Sequence, residues 1–315
     1  MSEMIIETHG LLKTYGAHKA LHNLNMQVPT GCVYGLLGRN GAGKTSTLRI
    51  LMNLIRPSGG EAQVLGHAPE RLPLNLRQQI GYSSDSMQLI PWLRVDELLA
   101  YNGSFYPAWD RDYVQQWLKR LELDARKRVF GLSRGERQKL ALILAIGHRP
   151  RLLVLDEPAG GLDPLARKEF LESMIELIHE SGSTIVISSH QMSDLERIAD
   201  QIGLVVNGQM RLQMPLEELK ARSRRVVLID KNAQANAQAS AQVEALKTWP
   251  GVLHLQSRAG YLEWIHENWS AAEEEKLLRR FPEARIEQSP LSLEEIFIIY
   301  TSTLTAGGAT CPATP

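Results

Sequence analysis

Residues 38–45 read Gly38–Arg39–Asn40–Gly41–Ala42–Gly43–Lys44–Thr45. They stand between a compact apolar run, CVYGLLG (32–38), and a helix-forming run, KTSTLRILMNLI (44–55). No other feature constrains the chain as much as this strand, glycine loop and helix in succession. The glycines let backbone N–H groups turn inward around an anion, and the helix that follows adds the partial positive charge of its N-terminus. The match is to G-x-x-x-x-G-K-[ST], in the strand-to-helix context that the pattern requires. Lys44 is expected to reach the β- and γ-phosphates of a nucleotide. The Thr45 hydroxyl is expected to sit on Mg²⁺, with Ser46 beside it in the first turn. A glycine-rich turn with a chance lysine is the plainer alternative, and the flanking strand and helix argue against it.

The pattern continues down the chain. RLLVLDEP (151–158) and STIVISSH (183–190) read as buried strands. PLARKEFLESMIELIHESG (164–182) reads between them as an amphipathic helix with a proline start and a glycine stop. Strands alternating with helices predict an α/β fold around a mainly parallel sheet covered on both faces. Residues 4–30 predict short strands, and residues 92–148 are expected to be mostly helical, with aromatics concentrated in YNGSFYPAWD (101–110).

A length of 315 residues suits one large domain and a smaller one. The composition shifts after about residue 220. From there strands over 224–230, 252–257, 261–266 and 284–288, with helices ending at 248 and spanning 271–280, predict the β-α-β-β-α-β order of a ferredoxin-like α+β domain (221–303). A last helix is expected over 292–301. NAQANAQASAQ (232–242) is a low-complexity linker or a poorly patterned helix start, and 304–315 a disordered tail.

Lysine and arginine number 35 and balance 35 aspartates and glutamates. That balance gives no sign of a nucleic-acid partner. Two distant cysteines, Cys32 and Cys311, suggest a reduced, cytosolic protein. MSEMIIETHG is not a signal peptide, and the longest apolar runs fall short of the ~18 residues of a membrane span. Work at a membrane would require docking onto another chain.

Asp156 ends the apolar run LLVLD, which places a carboxylate at the C-terminal edge of the sheet, where open α/β folds bind ligands. It is expected to hold Mg²⁺, and the adjacent Glu157 to polarise an attacking water as general base.

Further motifs follow in a fixed order: LSRGE (132–136), LLVLDEP (152–158), GGLD (160–163) and SSH (188–190). Together with the glycine loop, these resemble the ATP-binding cassette (ABC) ATPases over roughly residues 4–215. The resemblance implies a P-loop, RecA-like core with an antiparallel β subdomain and a helical subdomain over about 88–148, in a domain spanning 1–220. It implies ATP and Mg²⁺ as cofactors. It also implies a site shared between two cassettes, in which Ser133, Gly135 and Glu136 belong to the motif that grips the γ-phosphate held by the other copy. His190 would contact the γ-phosphate and the attacking water, Asp163 would lie at the subunit interface, and Tyr15 would stack on adenine.

Each motif also has a simpler local explanation. Ser133 and Glu136 fit a capping box, Asp163 with Pro164 fits a helix N-cap, and Tyr15 fits an ordinary core or surface tyrosine. Two positions depart from the family pattern. IGYSSDS (80–86) puts Asp85 where Gln or Glu is usual, with Gln88 a possible substitute as ligand to the metal or water. LSRGE puts Arg134 where glycine is usual.

The resemblance implies the ATP-hydrolysing subunit of a transporter. FYPAWD (105–110) resembles the corresponding stretch of bacterial exporters of the antibiotic-resistance type. Such a subunit works on the inner face of the cell membrane with a separate transmembrane permease and a second ATPase subunit, identical or related. A soluble ABC-type ATPase acting on ribosomes or DNA, and a non-hydrolysing nucleotide-binding regulator, are the competing classes. Intact Lys44, Asp156, Glu157 and His190 weigh against the last.

Overall fold

The computed structural model describes residues 3–230, 244–258, 261–282 and 284–302. The expectations for 232–242 and for the tail 304–315 lie outside them. The chain divides into two compact units, Met1–Gln213 and Met214–Pro315.

In the first unit, β1 (Met4–Tyr15) and β2 (His18–Pro29) are twelve-residue strands, longer than predicted. They pair antiparallel through several register shifts, and β4 (Gly59–Val64) joins the other side of β1. The shifts let one long strand follow a curved core. The second sheet has six strands in the order β5 (Ile80–Ser84), β6 (Leu152–Asp156), β7 (Thr184–Ser189), β3 (Val33–Leu37), β8 (Gln201–Val206) and β9 (Gln209–Pro215). The first five run parallel. Every residue of β3, β6 and β7 is buried, as expected of central strands covered on both faces.

Helix α1 (Lys44–Leu51) follows β3. It is shorter than the run 44–55 suggests, because Asn53 adopts a left-handed backbone (φ 55°) just beyond its end. A single helical turn, α2 (Leu74–Arg77), precedes β5. Helices α3 (Val95–Gly103), α4 (Arg111–Arg120) and α5 (Arg134–Ile146) form the helical region. Its aromatics divide between inside and outside. Tyr106 stacks on His148 with ring centroids 4.0 Å apart, and burial pushes the His148 imidazole down to about 4. Tyr101 and Phe105 are exposed and meet edge to face. Helix α6 (Pro164–Ser181) ends at Gly182 in the left-handed region, as its sequence predicts. Helix α7 (Met192–Ile198) follows β7. Among the described residues, no helix is long and apolar enough to cross a membrane.

The second unit begins with α8 (Leu216–Arg222) and β10 (Arg224–Asp230). The sequence boundary near 220 thus falls inside a helix. The Arg222 carbonyl accepts from the Trp269 N–H, which ties that helix to its own unit. A helical segment at 244–247 precedes β11 (Val252–Arg258) and β12 (Tyr261–His266), and α9 (Ala271–Arg280) precedes β13 (Ala284–Pro290). The four strands form an antiparallel sheet in the order β11-β12-β10-β13, the split arrangement expected. Val226, Leu228, Leu262 and Trp264 alternate onto one face and pack with Leu246, Leu277 and Phe281. Helix α10 (Leu293–Ser302) closes the described chain.

Strand β5 lies close under α5. A Cβ at Gly81 would stand 2.2 Å from the Ala145 carbonyl oxygen. Gly81→Ala must therefore push helix and strand apart. It is expected to lower stability by about 1–3 kcal/mol, the usual range for overpacking, measured by urea unfolding.

Candidate active site

Parallel register assembles the site. Asp156 pairs with Ser84 on one side and Ser188 on the other, and Leu37 pairs with Ser189. The ends of β3, β5, β6 and β7 therefore finish at one edge, and their following loops share it.

The loop after β3 turns through Gly41 (φ 81°) and Gly43 (φ 110°). Gly43 also lies against β2, where a Cβ would sit 2.7 Å from the Ala20 carbonyl oxygen. Arg39 and Asn40 are exposed, and Ala42 is buried with its carbonyl accepting from the Gly208 N–H at 2.9 Å. Helix α1 starts without a side-chain cap. Its first N–H groups have no intrahelical partner, which suits them to an anion.

Lys44 is 95% buried, and its ammonium folds back over the loop. It donates to the Gly38 carbonyl at 2.7 Å and to that of Arg39 at 3.4 Å. Its third neighbour is Glu157 Oε1 at 3.0 Å. That carboxylate oxygen is buried and accepts no aligned hydrogen bond, so the contact is an ion pair. Glu157 Oε2 lies 2.7 Å from His190 Nδ1. Glu157 itself has a left-handed backbone (φ 51°), uncommon outside glycine, which costs of order 1–3 kcal/mol. Its N–H donates to Ser188 Oγ at 2.9 Å, and its carbonyl accepts from Gly160. The bend after β6 is thereby fixed with the side chain aimed between Lys44 and His190.

Asp156 is 96% buried. Ser188 Oγ donates to its Oδ1 at 2.6 Å and Thr45 Oγ1 to the same atom at 3.1 Å. Burial raises the Asp156 carboxyl above the ordinary range, opposed by these two bonds. A hydroxyl and a buried carboxylate form an all-oxygen set of the kind that Mg²⁺ takes. The residues therefore fit the ion. Tyr15 is half exposed at the end of β1, with its hydroxyl 3.4 Å from Ser46 Oγ.

The LSRGE segment makes its contacts elsewhere. Ser133 caps α5, accepting from the Glu136 N–H at 3.1 Å, while Glu136 accepts the Ser133 N–H at 2.7 Å. Lys127, then this cap, hold the Glu136 carboxyl below its ordinary range. Gly135 faces Leu162, which a Cβ would meet at 3.5 Å. Asp163 caps α6 by accepting from Leu165 and Ala166. Among the described residues, none of these groups bonds to the glycine loop.

Asp85 is not drawn to Thr45 or Asp156 through its side chain. Its carboxylate bonds to Arg134 and Gln138, and only its N–H reaches Asp156, at the carbonyl. Gln88 is exposed, with no polar contact of its own among the described residues.

Ser188 and Gln138 escape the sequence reading. The signal for Ser188 is a hydroxyl at the buried end of β7, in direct register with Asp156. No comparable signal marks Gln138, which depends on where α5 is laid down.

A glycine loop on a parallel-sheet edge, with a buried lysine and a strand-end carboxylate, defines a phosphate-loop nucleotide-binding protein. Residues 21–160 match the model of the ABC transporter family. The bacitracin transport ATP-binding protein BcrA of Bacillus licheniformis is 35% identical over 223 residues, covering 70% of this chain and 73% of its own length. The ABC transporter ATP-binding protein YtrB of Bacillus subtilis is 27% identical over 93% of this chain and 97% of its own. The dimeric structure of a bacterial ABC transporter cassette superposes with a TM-score of 0.59 at 25% identity, over 67% of this chain and 98% of that one. This chain belongs to the ATP-binding subunits of ABC transporters, and that family's fold supports ATP hydrolysis.

Lys44→Ala removes the only side-chain cation bonded to the loop carbonyls among the described residues. It is expected to abolish binding of ATP measured with a fluorescent nucleotide. Unchanged affinity would refute the loop's assignment. Ser188→Ala deprives a buried carboxylate of its shortest bond. It is expected to cost about 1.5–3 kcal/mol, the range for a hydrogen bond to a charged group, read from chemical unfolding.

Proposed function

We propose that this chain is the ATP-hydrolysing subunit of an ABC transporter of the exporting type. It would act with a second copy across a shared site and with a separate membrane permease. The observation that carries the reading is Glu157, a carboxylate pinned by a strained backbone between Lys44 and His190, next to Asp156.

The amides at the start of α1 and the Lys44 ammonium bind the β- and γ-phosphates, with Arg39, Asn40 and Ala42 shaping the loop and Tyr15 stacking on the base. Phosphate oxygens compete with Glu157 for Lys44. Once Lys44 turns to phosphate, the Glu157 carboxylate is left to accept the proton of the attacking water. His190, already bonded to Glu157, orients that carboxylate and reaches toward the γ-phosphate. Thr45 and Asp156 would hold Mg²⁺, which supplies neutralisation of charge on the phosphate oxygens. The capped N-terminus of α5, with Ser133 and Gly135, offers N–H groups to the γ-phosphate of the other copy. Asp163 lies at the same junction. The pairing favours closure only while γ-phosphate is present, so hydrolysis resets it.

Coupling to a permease is supported by exposed apolar side chains on the helical region. Trp92, Tyr101, Phe105 and Phe130 are each more than half exposed. The segments carrying Trp92 and Phe130 are joined, since the Phe130 N–H bonds to the Pro91 carbonyl. Single exposed apolar residues are ordinary, whereas these stand as two pairs, Tyr101 against Phe105 and Trp92 on a segment joined to that of Phe130. Export is inferred from the FYPAWD stretch. The peripheral, cytoplasmic location follows from the permease.

Glu157→Gln keeps the shape of the side chain and removes the base. Hydrolysis is expected to fall by ~10²–10⁴. ATP should then hold the variant as a dimer in sedimentation velocity, and a monomer at saturating ATP would count against the shared site.

A further inference from the structure

Asp85 and Arg134 are the two positions at which this sequence departs from its family's motifs, and they lie 49 residues apart. The fold brings them into contact. Arg134 Nη2 is 2.9 Å from both oxygens of Asp85. Gln138, one turn further along α5, donates to the same carboxylate at 3.2 Å and to the Gly160 carbonyl at 2.8 Å. The guanidinium lies over Gly161, where a Cβ would stand 2.1 Å from Nη1. Both sides of this contact lead back to the hydrolytic residues. The Asp85 N–H bonds to the Asp156 carbonyl, and the Gly160 N–H to that of Glu157.

The side chains of the pair are well exposed, Arg134 at 51% and Asp85 at 40%. A pair so solvated is worth about 0–1 kcal/mol and exchanges readily. Arginine keeps its charge at any working pH and takes phosphate and carboxylate by the same fork of donors. A terminal phosphate carries more charge than one carboxylate, and Arg134 is the first residue of α5, beside the cap that faces the other copy in the proposed shared site.

We propose that the Asp85–Arg134 pair is an exchangeable clasp. Arg134 is a γ-phosphate-binding residue for the nucleotide carried by a second copy of this chain, and Asp85 withholds it until that phosphate arrives. The inference rests on the shared-site reading above. Transfer of Arg134 to phosphate leaves Gln138 as the partner of the Asp85 carboxylate, and the bond from the Asp85 N–H to the Asp156 carbonyl connects this loop to the hydrolytic edge. The two departures from the family pattern are thereby one device. A charge added to the phosphate-gripping motif is held by a charge added to the β5 loop.

The test is ATP-dependent dimerisation in the Glu157→Gln background, followed by sedimentation, with nucleotide affinity of the dilute monomer measured in parallel. Arg134→Gly is expected to weaken the dimer by ~10-fold or more, the loss of one charge-assisted phosphate contact. Asp85→Asn is expected to tighten it by up to ~5-fold, the release of a surface ion pair. Monomer affinity for ATP should stay within about twofold in both, since the loop that holds the monomer's own nucleotide keeps Lys44. The opposite signs separate a clasp from a mere structural tie, and equal losses, or no change in either variant, would overturn the proposal.

The exchanged pair Asp85→Arg/Arg134→Asp restores attraction within the chain while removing the cation from α5. It should dimerise as poorly as Arg134→Gly, and recovery of the parent's dimer would overturn the clasp. Unfolding midpoints check that each variant is folded, and Arg134→Lys provides a charge-conserving control expected to fall between parent and glycine variant. If the Glu157→Gln parent itself stays monomeric with ATP, the shared site fails and the clasp with it. If the parent dimerises and the variants shift together, the clasp alone fails.

Discussion

The Asp156 carboxylate sits almost wholly buried at the end of a central strand, and much of the first unit is arranged around keeping it there. Removing such a group from water costs several kcal/mol unless donors replace the solvent. Two replacements come from different elements, Ser188 from the neighbouring strand and Thr45 from the first turn of α1. Both depend on register. A slip of one residue between β6 and β7 would turn Ser188 to the other face and remove the shorter of the two bonds. The same hydroxyl also accepts the Glu157 N–H, so one side chain stabilises the buried carboxylate and the strained turn that aims the next residue. The fold's stability and the geometry of its site therefore share their contacts. Improving one without touching the other is difficult at this edge.

How much of this is legible in the sequence depends on the range of the interaction. The glycine loop, the apolar strands and the proline and glycine limits of α6 are local signals, and the structure has them in place. So are the strands of the second unit, whose alternation is plain in YLEWIH. The short α1 is hidden, because nothing in MNLI announces that Asn53 turns left-handed. Glu157 is recognisable from its neighbours, yet its backbone strain is not, since a left-handed glutamate has no sequence mark. Least legible are contacts that need the whole fold. Ser188 becomes meaningful only when β7 is laid beside β6, and Arg134 only when α5 comes down over β5. Read singly, Asp85 and Arg134 are two anomalies. Their pairing crosses 49 residues and no periodicity encodes it.

The plain and the functional explanations of Ser133 and Asp163 are both served by one geometry. Each side chain accepts hydrogen bonds from the first turn of its own helix. Capping uses the side-chain oxygen as an acceptor, and it organises the helix end without covering it. In α5 the box is doubled by Lys127, which holds Glu136 from the far side. The N-terminus of α5 is thus stiff before any ligand meets it. A preorganised donor set loses less entropy on binding than a floppy one, which favours a motif that has to recognise phosphate across an interface.

Charge balance extends that argument. The chain has no net charge, and two cations at its proposed phosphate contacts are already paired internally, Lys44 with Glu157 and Arg134 with Asp85. Phosphate binding at either place is therefore an exchange of anions and not the filling of a positive pocket. Exchange is favourable only for a ligand that offers more charge, or better geometry, than the carboxylate it displaces. A singly charged anion gains little against Glu157 at hydrogen-bonding distance, whereas a triphosphate has several oxygens to set against one. At the glycine loop the carboxylate set free is the one placed to act next, Glu157 on the attacking water. Pairing Lys44 with that carboxylate links recognition of the phosphate to readiness for its hydrolysis.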